Sequence, residues 1–175
     1  MPNTRHSVGM RLIDFIATQY NIEMKMNKKC SCSIGTMTHP KNNDIELVLV
    51  KPKSFMNNCG CKIVKCSKIY QVFDHNLYLI HDELDLVVGK YKLKENGSPR
   101  GHNGVRSVHD IINNQSPPRL LVGIDRPTSR NEVADYVLNS FDNLQSKKID
   151  EILPIAVDVL FEHILKKHRT ISVES

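Results

Sequence analysis

The chain has 175 residues, of which 40% are hydrophobic and 25% are charged, which is ordinary for one globular domain with its own core. Lys and Arg total 24 against 19 Asp and Glu, so the net charge of +5 allows an anionic partner but does not require one. No apolar run approaches the roughly 18 residues of a membrane span, which excludes a transmembrane class.

Helical spacing of apolar residues predicts a first helix over residues 8–20. Residues 25–44 are polar and interrupted by glycine and proline, so we expect an irregular segment with room for one short hairpin strand. The apolar run at 45–50 predicts a buried strand, and residues 57–73 predict a second helix. Its inner side is expected to carry Ile63, Ile69, Tyr70 and Phe73.

Residues 77–80 predict another buried strand, which is expected to end before His81. Alternation of lysine over 90–94 predicts a strand with three cations on one face. A glycine-containing loop follows, and then a helical stripe of Val105, Val108, Ile111 and Ile112. Residues 120–124 predict a strand, and 132–141 and 149–167 predict two helices, the last with Ile155 facing inwards.

Apolar strands separated by amphipathic helices predict an α/β fold. We expect a single domain with a mixed, mostly parallel twisted sheet that is flanked by helices on both faces. Ligands of such sheets bind beyond the carboxyl ends of strands. This rule directs attention to residues 51–58, 81–85 and 126–127.

Three carboxylates, Asp82, Glu83 and Asp85, follow the predicted strand at 77–80. They are compatible with solvated turn caps, with a magnesium site, or with a carboxylate that orients a histidine. The residues alone leave these alternatives open.

Several polar side chains are candidates for a site. The histidines His6, His81 and His102 could act as a base near neutral pH, although a lone histidine is usually a plain surface residue. Asn57 and Asn103 lie at predicted helix starts, where asparagine serves either as an N-cap or as an amide that positions a substrate.

The densest basic stretch comprises Lys90, Lys92, Lys94, Arg100 and Arg106. It is either a solvated face or a rim that binds phosphate groups.

The five cysteines are Cys30, Cys32, Cys59, Cys61 and Cys66. An odd count without a secretory signal indicates reduced intracellular thiols. The two C-x-C pairs lack the usual zinc spacing, so no metal site is predicted.

Five segments together resemble the bacterial-type peptidyl-tRNA hydrolase family. They are TRHSVG at 4–9, KPKSFMN at 51–57, HDELD at 81–85, GHNGVRS at 101–107 and LVGIDRP at 121–127. Each segment is weak alone, but their order and spacing make the resemblance specific.

The resemblance implies hydrolysis of the ester between a peptide and tRNA, without a metal or other cofactor. His6 is then the general base that activates water, and Asp82 is its carboxylate partner. Asn57 and Asn103 position substrate and water. The remaining substrate-binding positions implied by the matching motifs are Phe55, Met56, Gly101 and His102. The resemblance also implies that the tRNA phosphates are bound by Lys92, Lys94, Arg100 and Arg106.

The sequence departs from the family at its start. Family members open with a strand before the TRH motif, which residues 1–3 cannot form, so residues 1–175 are expected to be a single domain that is N-terminally incomplete relative to the family. A second departure is Asp125, which stands where the family usually has glycine. The implied partner is peptidyl-tRNA, and no association with a membrane is expected. We expect a monomer in the cytoplasm or the mitochondrion.

Three other readings compete with the enzyme. One is a non-catalytic RNA-binding relative of the kind that acts in intron splicing, and another is a truncated isoform without function. The last is a metal-dependent hydrolase that uses Asp82, Glu83 and Asp85.

Overall fold

A computed structural model describes residues 3–112 and 116–174, with side chains described as far as Thr170. The first half of the chain contains a 3-10 turn (Arg5–Ser7), helix α1 (Val8–Gln19), strands β1 (Lys25–Asn27), β2 (Cys32–His39) and β3 (Asn42–Pro52), a 3-10 turn (Met56–Asn58) and helix α2 (Cys59–Ile69). The second half contains β4 (Leu79–Glu83), β5 (Tyr91–Lys94), α3 (Asn103–His109), β6 (Arg119–Gly123), α4 (Val133–Leu138) and α5 (Asn143–Glu174).

The strands form two three-stranded sheets. The first has the order β1-β2-β3 and is antiparallel throughout. The second has the order β4-β6-β5, in which β4 is parallel to β6 and β5 is antiparallel to it. Strands β3 and β4 each have one edge that is not paired with another described strand.

Helices cover both faces, which confirms the predicted α/β architecture. Helices α1 and α5 pack on one side, where Leu12 and Ile149 lie in the main hydrophobic core with β6. Helices α2 and α3 pack on the other side, where Val64 and Val108 form a second cluster with Leu79.

The expectation of a mostly parallel sheet is wrong for the described residues, where only the β4–β6 pair is parallel. Strands β1, β2 and β3 follow one another through connections of a few residues, and parallel pairing needs a crossover of about a dozen residues or more. The short connections therefore require antiparallel hairpins in this part of the chain.

The prediction that residues 25–44 are irregular is also wrong. Strands β1 and β2 and the start of β3 occupy this segment, and β2 contributes to two clusters: Cys32 and Ile34 pack with Cys66, whereas Met37 packs in the main core. The alternation was hard to recognise because a cysteine and a histidine serve as core residues. The register also shifts between Thr38 and His39.

Several predicted elements differ in length. Helix α2 ends at Ile69, so Ile69 and Phe73 are exposed rather than internal. Ile111 and Ile155 are exposed as well, because the buried stripes of their segments are formed by neighbouring residues such as Ile112 and Ala156. Strand β4 extends through Glu83, although the sequence predicted that it ends before His81. His81 and Asp82 are therefore part of β4 and do not follow it.

Within the described residues no strand precedes α1, and Thr4 makes an isolated bridge with Ser140. None of the helices in the described part of the chain is both long and apolar enough to cross a membrane.

Candidate active site

The structure brings His6 and Asp82 into contact. His6 lies in the 3-10 turn before α1, and Asp82 lies near the carboxyl end of β4. Nδ1 of His6 donates a hydrogen bond of 2.8 Å to Oδ1 of Asp82. Because Nδ1 carries this proton, the lone pair of the neutral imidazole is on Nε2, where a base needs it.

The turn that carries His6 is held from both sides. The Thr4 amide donates to Ser7 Oγ, which in turn donates to the Thr4 carbonyl. Arg5 is buried against the ring of Tyr136 and donates to the carbonyl oxygen of Ser140 at 2.9 Å. Sequence reasoning missed this function of Arg5, although an arginine beside a candidate base was visible in the TRH motif.

Asp82 is only 4% exposed, yet it is held in its charged form. Burial alone raises the pKa of Asp82, but hydrogen bonds from His102 and then His6 outweigh burial and lower the pKa below its ordinary value. A carboxylate that stays ionised can orient an imidazole and stabilise the imidazolium.

His102 shares the carboxylate with His6. Its Nε2 donates to Asp82 Oδ1 at 3.0 Å, and its Nδ1 accepts the Val105 amide at 3.2 Å, which makes His102 the N-cap of α3. The rings of His6 and His102 lie 4.9 Å apart. The sequence predicted that His102 contacts the substrate, but its spacing could not reveal the contact of His102 with Asp82.

His81 forms the third ring of the cluster. Its Nδ1 donates to the backbone carbonyl of Asp82 at 2.7 Å, and its ring packs edge-on against His102 at 4.6 Å. Burial, together with the nearby His102, lowers the pKa of His81 to about 3, so this ring is neutral. Its Nε2 is buried and has no hydrogen-bond partner among the described residues.

The donor set of the cluster argues against a metal. The ligand atoms of His6, Asp82 and His102 lie within 4.8 Å of one another, which is close enough for a metal ion. A metal-bound histidine normally donates its second N–H to an acceptor. His102 does the opposite, because its Nδ1 accepts from Val105 and its proton is therefore on the nitrogen that faces Asp82.

The alternative of a magnesium site is wrong, because the three carboxylates expected to bind the ion are not grouped. Asp82, Glu83 and Asp85 do not form a ligand group within the described parts of the chain. Asp85 instead pairs with Arg126 at 2.7 Å, and Glu83 accepts the Asp85 amide at 3.1 Å. Successive residues of a strand point to opposite faces, which separates the carboxylates of Asp82 and Glu83.

The two asparagines lie on elements that contact each other. Asn57 is in the 3-10 turn Met56–Asn58, and Asn103 is the first residue of α3, which packs against that turn. Both side chains are exposed, and neither is the N-cap of the helix that follows, since the caps are Asn58 and His102. Their amides are therefore not used in helix capping.

The other residues expected to bind the substrate near the asparagines differ in their exposure and conformation. Met56 is half-buried and packs where a side chain on Gly104 would otherwise lie. Phe55 is 81% exposed. Gly101 has φ +87°, a conformation that favours glycine, and the space around it is open.

The whole chain is similar to proteins of one family. The sequence model of a family described as peptidyl-tRNA hydrolase matches residues 2–174. A mouse protein named probable peptidyl-tRNA hydrolase is 38% identical over 164 residues, covering 94% of this chain and 80% of the relative. The chain belongs to the peptidyl-tRNA hydrolase family. A Rickettsia bellii peptidyl-tRNA hydrolase is 37% identical, covering 82% of this chain and 75% of the relative.

The fold agrees as well. The crystal structure of peptidyl-tRNA hydrolase from Acinetobacter baumannii superimposes with a TM-score of 0.80 at 30% identity, covering 87% of this chain and 76% of that chain. The predicted family membership, the fold class and the assignment to hydrolases are thus confirmed.

The basic residues expected to contact tRNA lie on β5, in the loop after it and in helix α3. Lys92 and Lys94 occupy alternate positions of β5 and share one face, while Tyr91 and Leu93 pack into the core from the other face. Arg100 and Arg106 are exposed. The predicted three-lysine strand is shorter than expected, since Lys90 precedes β5.

Arg119 was missed by sequence reasoning. It is buried at the start of β6 and donates to the carbonyl oxygens of Gly97 at 2.7 Å and Ser98 at 3.0 Å. The same guanidinium reaches the carbonyl of Asn96 at 3.4 Å. It therefore anchors the loop between the basic strand and His102, a function that depends on a contact more than twenty residues away in sequence.

Asp125, which the resemblance places at a glycine position of the family, has a backbone conformation that favours glycine. Its φ is +61°, in the left-handed region where glycine is favoured and aspartate is tolerated. Its amide donates to the Leu86 carbonyl at 3.0 Å, which fixes the turn after β6.

Proposed function

We propose that this chain hydrolyses the ester bond between the peptide and the tRNA of peptidyl-tRNA and thereby releases tRNA for reuse. The observation that carries the proposal is the hydrogen bond of 2.8 Å between His6 Nδ1 and Asp82 Oδ1. Family membership supports the substrate, and the dyad supports the chemistry.

In the first step, His6 Nε2 takes a proton from water while the water oxygen attacks the carbonyl carbon of the ester. This attack produces a tetrahedral oxyanion and an imidazolium. The imidazolium is stabilised by the Asp82 carboxylate, which is already aligned with it. A base positioned in this way contributes about 10²–10⁴-fold to the rate.

In the second step, the bond between the carbonyl carbon and the ribose oxygen breaks. The imidazolium returns its proton to that oxygen, which leaves a free hydroxyl on tRNA and a carboxylic acid on the peptide. Asn57 and Asn103 supply an amide N–H that donates to the oxyanion and an amide oxygen that accepts the second hydrogen of the attacking water. Each donor of this kind is worth about 10²–10³-fold.

The tRNA is held through its phosphates by Lys92, Lys94, Arg100 and Arg106. Phosphate contacts fix the position of a nucleic acid without reading its sequence. Phe55, Met56, Gly101 and His102 complete the substrate-binding side. The chain acts without a metal or cofactor, as a monomer, in the cytoplasm or the mitochondrion.

A non-catalytic RNA-binding function receives less support. Such a protein would have no use for an imidazole held against a buried carboxylate, whose desolvation costs stability unless it is paired. The residues that an RNA-binding function needs are the exposed cations alone.

The function is tested by incubating the purified chain with an N-acetylaminoacyl-tRNA and measuring release of free tRNA. We expect hydrolysis that is unchanged by EDTA, because no step requires a metal. Binding of the tRNA without release would favour the non-catalytic alternative, and loss of activity in EDTA would favour a metal-dependent hydrolase.

A further inference from the structure

Two histidines from different elements share one oxygen of the buried carboxylate. Oδ1 of Asp82 accepts a hydrogen bond of 3.0 Å from His102 Nε2, and the same atom accepts the bond of 2.8 Å from His6 Nδ1. His102 precedes α3, whereas His6 lies in the turn before α1. The last torsion of an aspartate side chain has broad energy wells, so one donor alone does not fix the plane of its carboxylate. The second donor holds the oxygen from another direction.

The backbone of α3 fixes the tautomer of His102. Its Nδ1 accepts the amide of Val105 at 3.2 Å, so the proton of the neutral ring is on Nε2, which faces Asp82. Protonation of Nδ1 would remove this acceptor from the first turn of the helix. Because both nitrogens of His102 are committed to the protein, its ring can contact a substrate only through carbon atoms.

The carboxylate needs the second donor because it is buried. Burial raises the pKa of Asp82, and the hydrogen bond from His102 is the largest effect that lowers it, ahead of the bond from His6. A buried carboxylate with too few donors takes up a proton. A protonated Asp82 could not stabilise the imidazolium that forms on His6.

We propose that His102 is a positioning residue for the hydrolysis, and that its Nε2–H holds in place the carboxylate oxygen of Asp82 on which His6 depends. This assignment rests on the proposed function and adds a residue that acts on the reaction through Asp82. The Val105 amide holds His102, His102 and His6 hold Asp82, and Asp82 orients the base.

Two substitutions separate the two hydrogen bonds of His102. Asparagine is a favoured N-cap and keeps an acceptor for the Val105 amide, but it is too short to reach Asp82 as a donor. Glutamine reaches Asp82 with its amide N–H but is not a favoured cap.

The variants are assayed with N-acetylaminoacyl-tRNA. We expect His102→Asn to lower kcat about tenfold to a hundredfold with KM within about twofold, because a hydrogen bond to a charged group is lost. His102→Gln should recover most of this loss. The Tm should show the opposite order, with His102→Gln about 2–4 °C below His102→Asn, because it lacks the cap.

Action through Asp82 is tested in a double variant. Asp82→Asn removes the charge that His102 holds, so adding His102→Asn to it should lower kcat less than about twofold further. His109→Asn is the matched control, because His109 lies in the last turn of the same helix, where its Nδ1 is 3.9 Å from Asp110. It should leave kcat unchanged.

Native kcat in His102→Asn would overturn the inference. So would equal losses of kcat in His102→Asn and His102→Gln, or a full additional loss in the Asp82→Asn background. A raised KM with unchanged kcat would make His102 a substrate contact and also overturn its assignment as a positioning residue. Failure of the native protein to cleave the ester would instead overturn the proposed function, and this inference with it.

Discussion

His6 and Asp82 are 76 residues apart in the chain and are joined by a hydrogen bond of 2.8 Å between Nδ1 and Oδ1. The bond determines which nitrogen of His6 carries the proton. It also couples the 3-10 turn before α1 to the end of β4. The catalytic proposal depends on this one contact.

Replacement of Asp82 tests the coupling. In Asp82→Asn the side chain loses its charge, so the imidazolium of His6 is no longer stabilised and its tautomer is no longer fixed. We expect kcat to fall about 10³-fold or more with little change in KM. Hydrolysis is measured in single turnover, and the thermal unfolding midpoint serves as the control for folding. A loss of less than tenfold in a folded variant would remove Asp82 from the mechanism.

The basic face of β5 is tested with a double variant. Lys92→Ala combined with Lys94→Ala should weaken tRNA binding and reduce the slope of log K against log salt by about 0.7–0.9 for each lost phosphate contact. Lys28→Ala combined with Lys29→Ala changes the charge equally in the exposed β1–β2 loop and should leave the slope unchanged. Equal slopes in the two double variants would show that the β5 lysines do not contact phosphate.

Burial of His81 predicts a pH dependence of stability. The pKa of His81 falls from about 6.5 in the unfolded chain to about 3 in the folded protein, so between these values only the unfolded chain binds the proton. Stability is therefore present above about pH 6.5 and is lost as the pH falls. Between pH 7 and pH 5 we expect the free energy of unfolding to fall by about 2 kcal/mol from this group.

The measurement is urea unfolding at the two pH values. His81→Phe should lose most of this pH dependence, whereas His75→Gln, which removes an exposed histidine, should retain it. Asp82 adds its own loss only below about pH 4, because its pKa is lowered by folding. The same pH dependence in His81→Phe as in the native protein would show that another group titrates.

The backbone at Asp125 predicts a difference between two substitutions. Glycine adopts φ +61° without strain, whereas alanine has a β-carbon and lacks the polar side chain that lets aspartate tolerate this region. We expect Asp125→Ala to be about 1 kcal/mol less stable than Asp125→Gly. Urea unfolding of both variants measures the difference, and equal stability would contradict the left-handed conformation.

The sequence predicts the elements whose burial is continuous or strictly periodic. Helix α1 and strand β6 are examples, since Leu12 and Ile16 mark one helical face and Leu120 to Gly123 are buried throughout. The β1–β2 hairpin was not predictable in the same way. Its core includes Cys32 and His39, and His39 is stabilised by a hydrogen bond to the Phe161 carbonyl on a distant helix.

The residues of the candidate site can likewise be divided into those that the sequence predicts and those that only the fold reveals. His6, Asp82, Asn57 and Asn103 stand out because each belongs to a short motif at the end of an element. The capping function of His102 and the anchoring function of Arg119 depend on contacts about twenty residues apart, which no local pattern encodes. The sequence therefore singled out the candidate groups of the site, and the fold was needed to find the residues that hold them in place.

The most direct test of the central claim is His6→Ala, assayed for both hydrolysis of N-acetylaminoacyl-tRNA and binding of deacylated tRNA. We expect hydrolysis to fall by about 10²–10⁴-fold, because the base is absent, while the Kd for tRNA stays within about twofold, because the phosphate contacts are intact. Hydrolysis at the native rate in this variant would contradict the assignment of His6 as the general base.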